Sequence, residues 1–237
     1  MSAIPRTLVQ TGRDTLEQCP SAQRWQQSQD QLTYCYFDDH AARQYLTAHL
    51  GDRVARAFDG LRPGAFKADL FRYAFLYVQG GMYVDLDMTP VVPLPTLLEE
   101  HPRAQLISCR ERPGICGVWQ GFLASVPGLA PLKWAIDRIV HYVETQYYPP
   151  PQPEVSFWEP ILSLTGPVLL AQALVAHGMS AKLPHGEQKA GDLTVHLLTF
   201  DDNVREADGR LLIADACPDY VPHDSYAPLF MQRQVYQ

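Results

Sequence analysis

The chain gives its cysteines no pairing pattern. Cys19, Cys35, Cys109, Cys116 and Cys217 are an odd number, and no C-x-x-C pair occurs in the 237 residues. This argues against a disulfide framework and against a cysteine-built zinc site, and free thiols fit a reducing, cytoplasmic compartment. Long apolar runs are also missing. The longest apolar region, 65–78, is interrupted by Lys67, Asp69 and Arg72, so it is too short and too charged to span a bilayer. The opening Met1-Ser2-Ala3-Ile4-Pro5-Arg6 has no apolar signal core. The expected location is therefore the cytoplasm, with at most peripheral membrane association. Positive charge is scarce: 19 basic residues face 26 acidic ones, for a net charge of -7. A partner with a phosphate backbone needs a basic surface to displace counterions, so nucleic acid is excluded as the expected partner. A nucleotide diphosphate remains possible if a divalent cation lies between it and the protein.

What is present is an ordinary globular composition, 46% apolar, and an alternation of strand and helix patterns. Ile4–Thr11 and Leu32–Phe37 read as strands. Asp38 or Asp39 is placed to cap a helix whose apolar face is Ala42, Tyr45, Leu46 and His49, ended by Gly51. Pro63-Gly64 opens a stronger helix that runs to Val78 and stops at Gly80-Gly81. A strand over Met82–Met88 follows directly. Strands are predicted at 105–109, 118–124, 195–200 and 211–214, the last two joined by a polar turn at Asp208-Gly209. Helices are predicted at 132–143 and 167–177, with an extended proline-rich loop at 147–153 and an irregular tail. The fold class is α/β: one domain over 1–237 with a mostly parallel central sheet flanked by helices. Ligands in such sheets gather at the carboxyl ends of strands, where Thr11, Asp38 and Asp87 fall.

The stretch 67–89 carries the chemistry. Alternation along a strand places Met82, Val84, Leu86 and Met88 on the core face, and Tyr83, Asp85 and Asp87 on the other. Two like charges about 6.6 Å apart along the strand repel unless a cation joins them, and oxygen ligands suit Mg²⁺ or Mn²⁺. On the preceding helix Asp69 and Arg72 are neighbours at i, i+3. The Gly-Gly turn packs that helix beside the strand and brings a hydroxyl acceptor and a phosphate donor toward the same edge.

Lys67-Ala68-Asp69-Leu70-Phe71-Arg72-Tyr73-Ala74-Phe75-Leu76-Tyr77 followed by Gly80-Gly81-Met82-Tyr83-Val84-Asp85-Leu86-Asp87 resembles the signature of glycosyltransferase family 32, the DXD sugar-binding region family that includes fungal initiating α-1,6-mannosyltransferases. It is also similar to the donor site of the large clostridial glucosylating toxins. Ile4–Thr11 resembles the family's opening strand, with Val9 where His is usual. Thr165-Gly166-Pro167 is similar to its Thr-Gly-Pro element, and His223-Asp224-Ser225-Tyr226 to its C-terminal motif, with Tyr226 where Trp is usual. The resemblance implies a GT-A fold, with residues 1–125 binding the nucleotide sugar and 126–237 forming the acceptor side and a closing tail. It implies a metal-dependent, retaining transfer of a hexose from a UDP- or GDP-sugar to a saccharide, lipid-linked or protein hydroxyl. It implies that Asp87 binds Mn²⁺ or Mg²⁺ directly, and that Asp85 reaches the metal through water and also touches the ribose. Asp69 would hold sugar hydroxyls, Arg72 would contact sugar or diphosphate, and Tyr83 would line the pocket. Gln10 and Thr11 would lie by the base and ribose, and the C-terminal motif, with Ser225 and Tyr226, would close over the diphosphate, with His223 or Ser225 helping to hold the metal.

Two other readings compete. Asp85-Leu86-Asp87-Met88-Thr89 fits the D-x-D-x-T motif of a haloacid-dehalogenase-type phosphatase, with Asp85 as nucleophile, Asp87 as acid/base and Asp201-Asp202 as a distal acidic pair. A non-catalytic sugar-binding module is the other, although binding alone does not need a paired-carboxylate metal site.

Overall fold

The computed structural model describes residues 3–28, 31–150, 156–214 and 226–237. In chain order the first half runs β1 (Thr7–Thr11), α1 (Pro20–Ser28), β2 (Thr33–Phe37), α2 (Asp39–Leu50), α3 (Asp52–Gly60), α4 (Gly64–Gln79), β3 (Gly81–Val84), β4 (Thr89–Pro90), α5 (Leu94–Glu100), β5 (Leu106–Arg110) and β6 (Val118–Ser125). The second half runs α6 (Ala130–Thr145), α7 (Trp158–Leu162), α8 (Pro167–Ala176), β7 (Gly186–Ala190), β8 (Leu193–Phe200), β9 (Asn203–Arg205), β10 (Leu211–Ala214) and α9 (Tyr226–Met231).

The strands form one sheet in the order β2-β1-β3-β6-β5-β8-β9-β10-β4, with β7 also paired to β8. The expected α/β class is present. Its parallel core is β2-β1-β3 together with β5-β8. β6 runs antiparallel between β3 and β5 and joins these two blocks. One core, with Phe71, Phe75, Leu106, Ile136 and Leu170 among its buried residues, lies under α4, α6 and α8. The other, with Trp25, Met82, Val84, Leu98, Ile107 and Leu198, lies under α1 and α5. Each fully buried Leu or Phe contributes about 1.5–3 kcal/mol relative to exposure, so the two faces fix the position of the sheet between its helical layers.

The helix readings at α2, α4, α6 and α8 agree with the structure to within a few residues. Asp38 caps α2 by accepting from the Ala41 amide at 2.8 Å. Several expectations are corrected. The strand at 82–88 ends at Val84. Asp85 N still donates to Gly121 O at 2.7 Å, but Met88 N turns back to Asp85 O at 3.3 Å, so 85–88 is a turn and Leu86 is only half-buried. The strands at 195–200 and 211–214 are not a simple pair, because β9 lies between them and bonds to both. The tail includes α9 and an anchored end. Val235 is fully buried, Arg62 N donates to Val235 O at 2.9 Å, and Gln237 N donates to Gly60 O at 2.8 Å. No helix among the described residues is long and apolar enough to cross a membrane.

Candidate functional site

The site forms where α4 and β3 meet. Gly80 and Gly81 adopt positive φ of 68° and 107°. A Cβ at Gly81 would lie 2.6 Å from Thr7 O, and one at Gly80 2.8 Å from Ser125 O. Only glycine lets the chain reverse this tightly against β1 and β6, and the reversal sets α4 across the β3–β6 pair.

The α4 face that packs on the sheet is apolar except for two charged residues. Asp69 and Arg72 are 7% and 4% exposed. Arg72 answers its burial with hydrogen bonds: Nη1 donates to Gln120 O at 2.7 Å, and Nη2 donates to Asp85 Oδ1 at 2.9 Å and Tyr83 OH at 3.3 Å. Its guanidinium lies 4.2 Å from the Tyr83 ring centroid. Burial opposes the charge, but Asp85, Tyr83 and Asp69 outweigh it and hold the guanidinium above its ordinary pKa. Tyr83 also donates to Asp85 Oδ1 at 2.9 Å. At 1% exposure its part is to orient Asp85 from beneath, and burial pushes its hydroxyl pKa well up.

Asp69 is held from the other side. Gln120 Nε2 donates to Oδ1 at 2.5 Å, Thr165 Oγ1 donates to Oδ2 at 2.6 Å, and Arg72 Nη2 lies 3.4 Å from Oδ1. Burial pushes the Asp69 carboxyl up to about 6, against the opposing pulls of Arg72, Thr165 and Gln120. Tyr73 donates to Gln120 and to Gly166 O, which closes the network on α8. The Thr-Gly-Pro stretch therefore enters the site through Thr165 and Gly166.

The turn bearing Asp85 and Asp87 is gripped by backbone contacts. Gln10 Nε2 donates to Val84 O at 3.0 Å and Asp85 O at 3.4 Å, while Tyr34 OH donates to Gln10 Oε1 at 2.9 Å. From α1, Ser21 donates to Leu86 O, and Trp25 Nε1 to Met88 O at 2.8 Å. Thr11 donates to Phe37 O at 2.8 Å and ties β1 to β2. Gly121 supplies clearance: a Cβ there would lie 2.7 Å from Asp85 Oδ2 and 2.2 Å from Trp119 Cζ2.

Asp69, Arg72, Tyr83 and Asp85 thus come together, with Gln10 behind them and Asp87 two residues on. Tyr226 packs on Phe66 of α4 at 5.6 Å between ring centroids. Its pKa is raised by burial, then by Asp69, Glu111 and Asp85. His223 and Ser225 lie outside the described residues. Sequence reasoning missed Gln120, Gly121, Ser21 and Trp25, none of which stands in a recognisable motif. The phosphatase reading finds no support. Asp85 Oδ1 is taken by Arg72 and Tyr83, Asp201 pairs with Arg205, and Asp202 pairs with Arg112 at 2.8 Å.

Residues 13–104 match the family described as a glycosyltransferase sugar-binding region containing a DXD motif. This segment contains Asp69, Arg72, Tyr83, Asp85 and Asp87. The chain is 26% identical over 94 residues to the initiation-specific alpha-1,6-mannosyltransferase of Schizosaccharomyces pombe, a match over 37% of this chain and 24% of that one. It therefore spans about a quarter of that relative's length. Among solved structures it is similar to the PaToxG glycosyltransferase, with 13% identity over 73% of this chain and 69% of that one and a TM-score of 0.43. It is also similar to mouse xyloside xylosyltransferase 1 in its apo form, with 11% identity over 92% and 100% of the two chains and a TM-score of 0.45.

Proposed function

We propose that this chain is a metal-dependent glycosyltransferase of the GT-A type that moves a hexose from a nucleotide diphosphate sugar to an acceptor hydroxyl. The observation that carries the reading is the buried Arg72–Tyr83–Asp85 network at the carboxyl end of β3, inside the segment that matches the sugar-binding region. Oxygen donors at Asp85 and Asp87 fit Mg²⁺ or Mn²⁺. Asp85 commits Oδ1 to Arg72 and Tyr83, and Oδ2, which takes neither of these bonds, lies close on Gly121 together with the Trp119 ring. A bound divalent ion would neutralise charge on the leaving diphosphate.

The protein's own residues do the rest. Arg72 orients Asp85 and places a fixed positive charge beside the diphosphate. Asp69 accepts from sugar hydroxyls and selects the hexose. Gln10 fixes the backbone of the turn, Thr11 lies toward the base and ribose, Tyr226 serves the donor, and His223 is proposed as a further ligand of the metal. Transfer retains anomeric configuration by attack on the face the diphosphate leaves, with the departing phosphate taking the acceptor's proton. The acceptor is a saccharide, lipid-linked or protein hydroxyl reached from the cytoplasm. The test is nucleotide release from a panel of UDP- and GDP-hexoses with Mn²⁺. One donor should be hydrolysed, and Asp87→Ala should abolish that turnover; wild-type turnover by Asp87→Ala would overturn the metal site.

A further inference from the structure

On the opposite face of the sheet lies a cluster that the transfer does not use. His101 ends α5, His196 lies in β8 and Glu206 follows β9. His101 Nε2 is 2.7 Å from Glu206 Oε1, and His196 Nε2 is 3.8 Å from Oε2. One ligand atom from each residue lies within 4.8 Å of the other two. The imidazole rings stack at 3.6 Å between centroids with a 26° tilt, so one ring must turn before both Nε2 atoms face a single ion. His196 and Glu206 are each only 9% exposed.

We propose that His101, His196 and Glu206 form a second metal site, for a transition-metal ion of the Zn²⁺ class. Two imidazoles and a carboxylate are the donor set that such ions prefer over Mg²⁺. Metal–ligand bonds of about 2.0–2.1 Å put tetrahedral ligand atoms about 3.3 Å apart; the imidazole nitrogens lie 2.7 and 3.8 Å from the two different oxygens of Glu206, and one atom from each residue lies within 4.8 Å of the others, so small side-chain movements close the set. Metal binding would replace the His101–Glu206 hydrogen bond with coordination by both side chains. Ala207 N reaches Glu206 Oε2 at 3.4 Å and helps to aim it.

The site is remote from Asp85. The register Met82–Ala124–Ile107–His196 places His196 three residues back along the strand direction and three strands across from Asp85, on the order of 15 Å at ordinary strand spacing. It faces the core of Ile107 and Leu198, whereas Asp69 and Arg72 lie on the α4 face. With little exposure, it acts as a clip that ties α5 to β8 and to the strands after it.

The experiment strips the full chain with EDTA, then titrates it with Zn²⁺ and, for its visible ligand-field spectrum, Co²⁺, in the absence of nucleotide. The wild type is expected to bind one tight equivalent, to show a Co²⁺ spectrum of low coordination number, and to gain thermal stability with Zn²⁺. His101→Ala and His196→Ala should weaken binding about 100-fold or more, and the near-isosteric Glu206→Gln about 10–100-fold, with the spectrum lost. Asp87→Ala should retain the signal. The proposal falls if the wild type takes up no tight equivalent, if Asp87→Ala removes it, or if a folded Glu206→Gln binds as the wild type does.

Discussion

Arg72 is buried among answering charges, and the residues around it determine whether the site keeps its shape. Asp69 shares that environment and sits in an unusual pH regime. Its carboxyl is raised to about 6 from an unperturbed 3.8, with burial the first cause. Between these values the folded chain holds a proton that the unfolded chain has lost, so stability falls as pH rises from about 4 to about 6 and is level above that. The size is roughly 3 kcal/mol at 1.36 kcal/mol per unit. Asp69→Asn should remove this dependence. Urea unfolding at pH 4 and pH 7 should show the variant gaining on the wild type by that order, and an equal gap at both pH values would refute the assignment. Gly121 makes a second demand. Trp119 is stacked on Phe200 at 4.0 Å between centroids, so a new methyl 2.2 Å from its ring must displace either that stack or Asp85. Gly121→Ala should cost about 1–3 kcal/mol and lower donor hydrolysis severely. Near-normal turnover would show that the clearance at Asp85 is not needed.

Elements outside the recognisable stretch hold the functional turn. α1 was not legible in the sequence: its residues are mostly polar, and its one large apolar residue, Trp25, gives no periodic stripe. Yet the Trp25 indole donates to Met88 O at the far end of the turn. Trp25→Phe keeps an aromatic ring but deletes that donor, leaving a buried carbonyl unsatisfied at about 1–3 kcal/mol in addition to the cost of the smaller ring. It should raise the Mn²⁺ concentration needed for half-maximal turnover, and an unchanged metal dependence would assign α1 a purely structural part. The end of β3 was misread because polar-apolar alternation continues from Met82 to Met88. The pattern cannot register that the β6 ladder gives its last partner to Asp85 N. The helix with Asp69 and Arg72 was legible because helical spacing and a glycine pair are local signals. Gln120 and Thr165 lie 51 and 96 residues from Asp69, and only the topology brings them to it.

At the scale of the molecule, β6 joins the two parallel blocks and carries Trp119, Gln120 and Gly121 into the site, so the sheet and the site depend on the same strand. The distant C-terminal end is also tied down, with Val235 fully buried and bonded to Arg62. Val235→Ala should destabilise the fold by about 1–3 kcal/mol through lost transfer energy and a cavity, while the metal dependence of the folded fraction stays as in the wild type. A lower melting temperature together with a changed metal dependence would couple the tail to the site.

The guanidinium of Arg72 is already dry and already bonded to Gln120, Tyr83 and Asp85 before any sugar arrives. Its ordering entropy is therefore spent when the chain folds, not when donor docks. On the proposed function, an incoming diphosphate would meet a positive centre that needs no rearrangement, so loosening that fork should slow catalysis even where affinity survives.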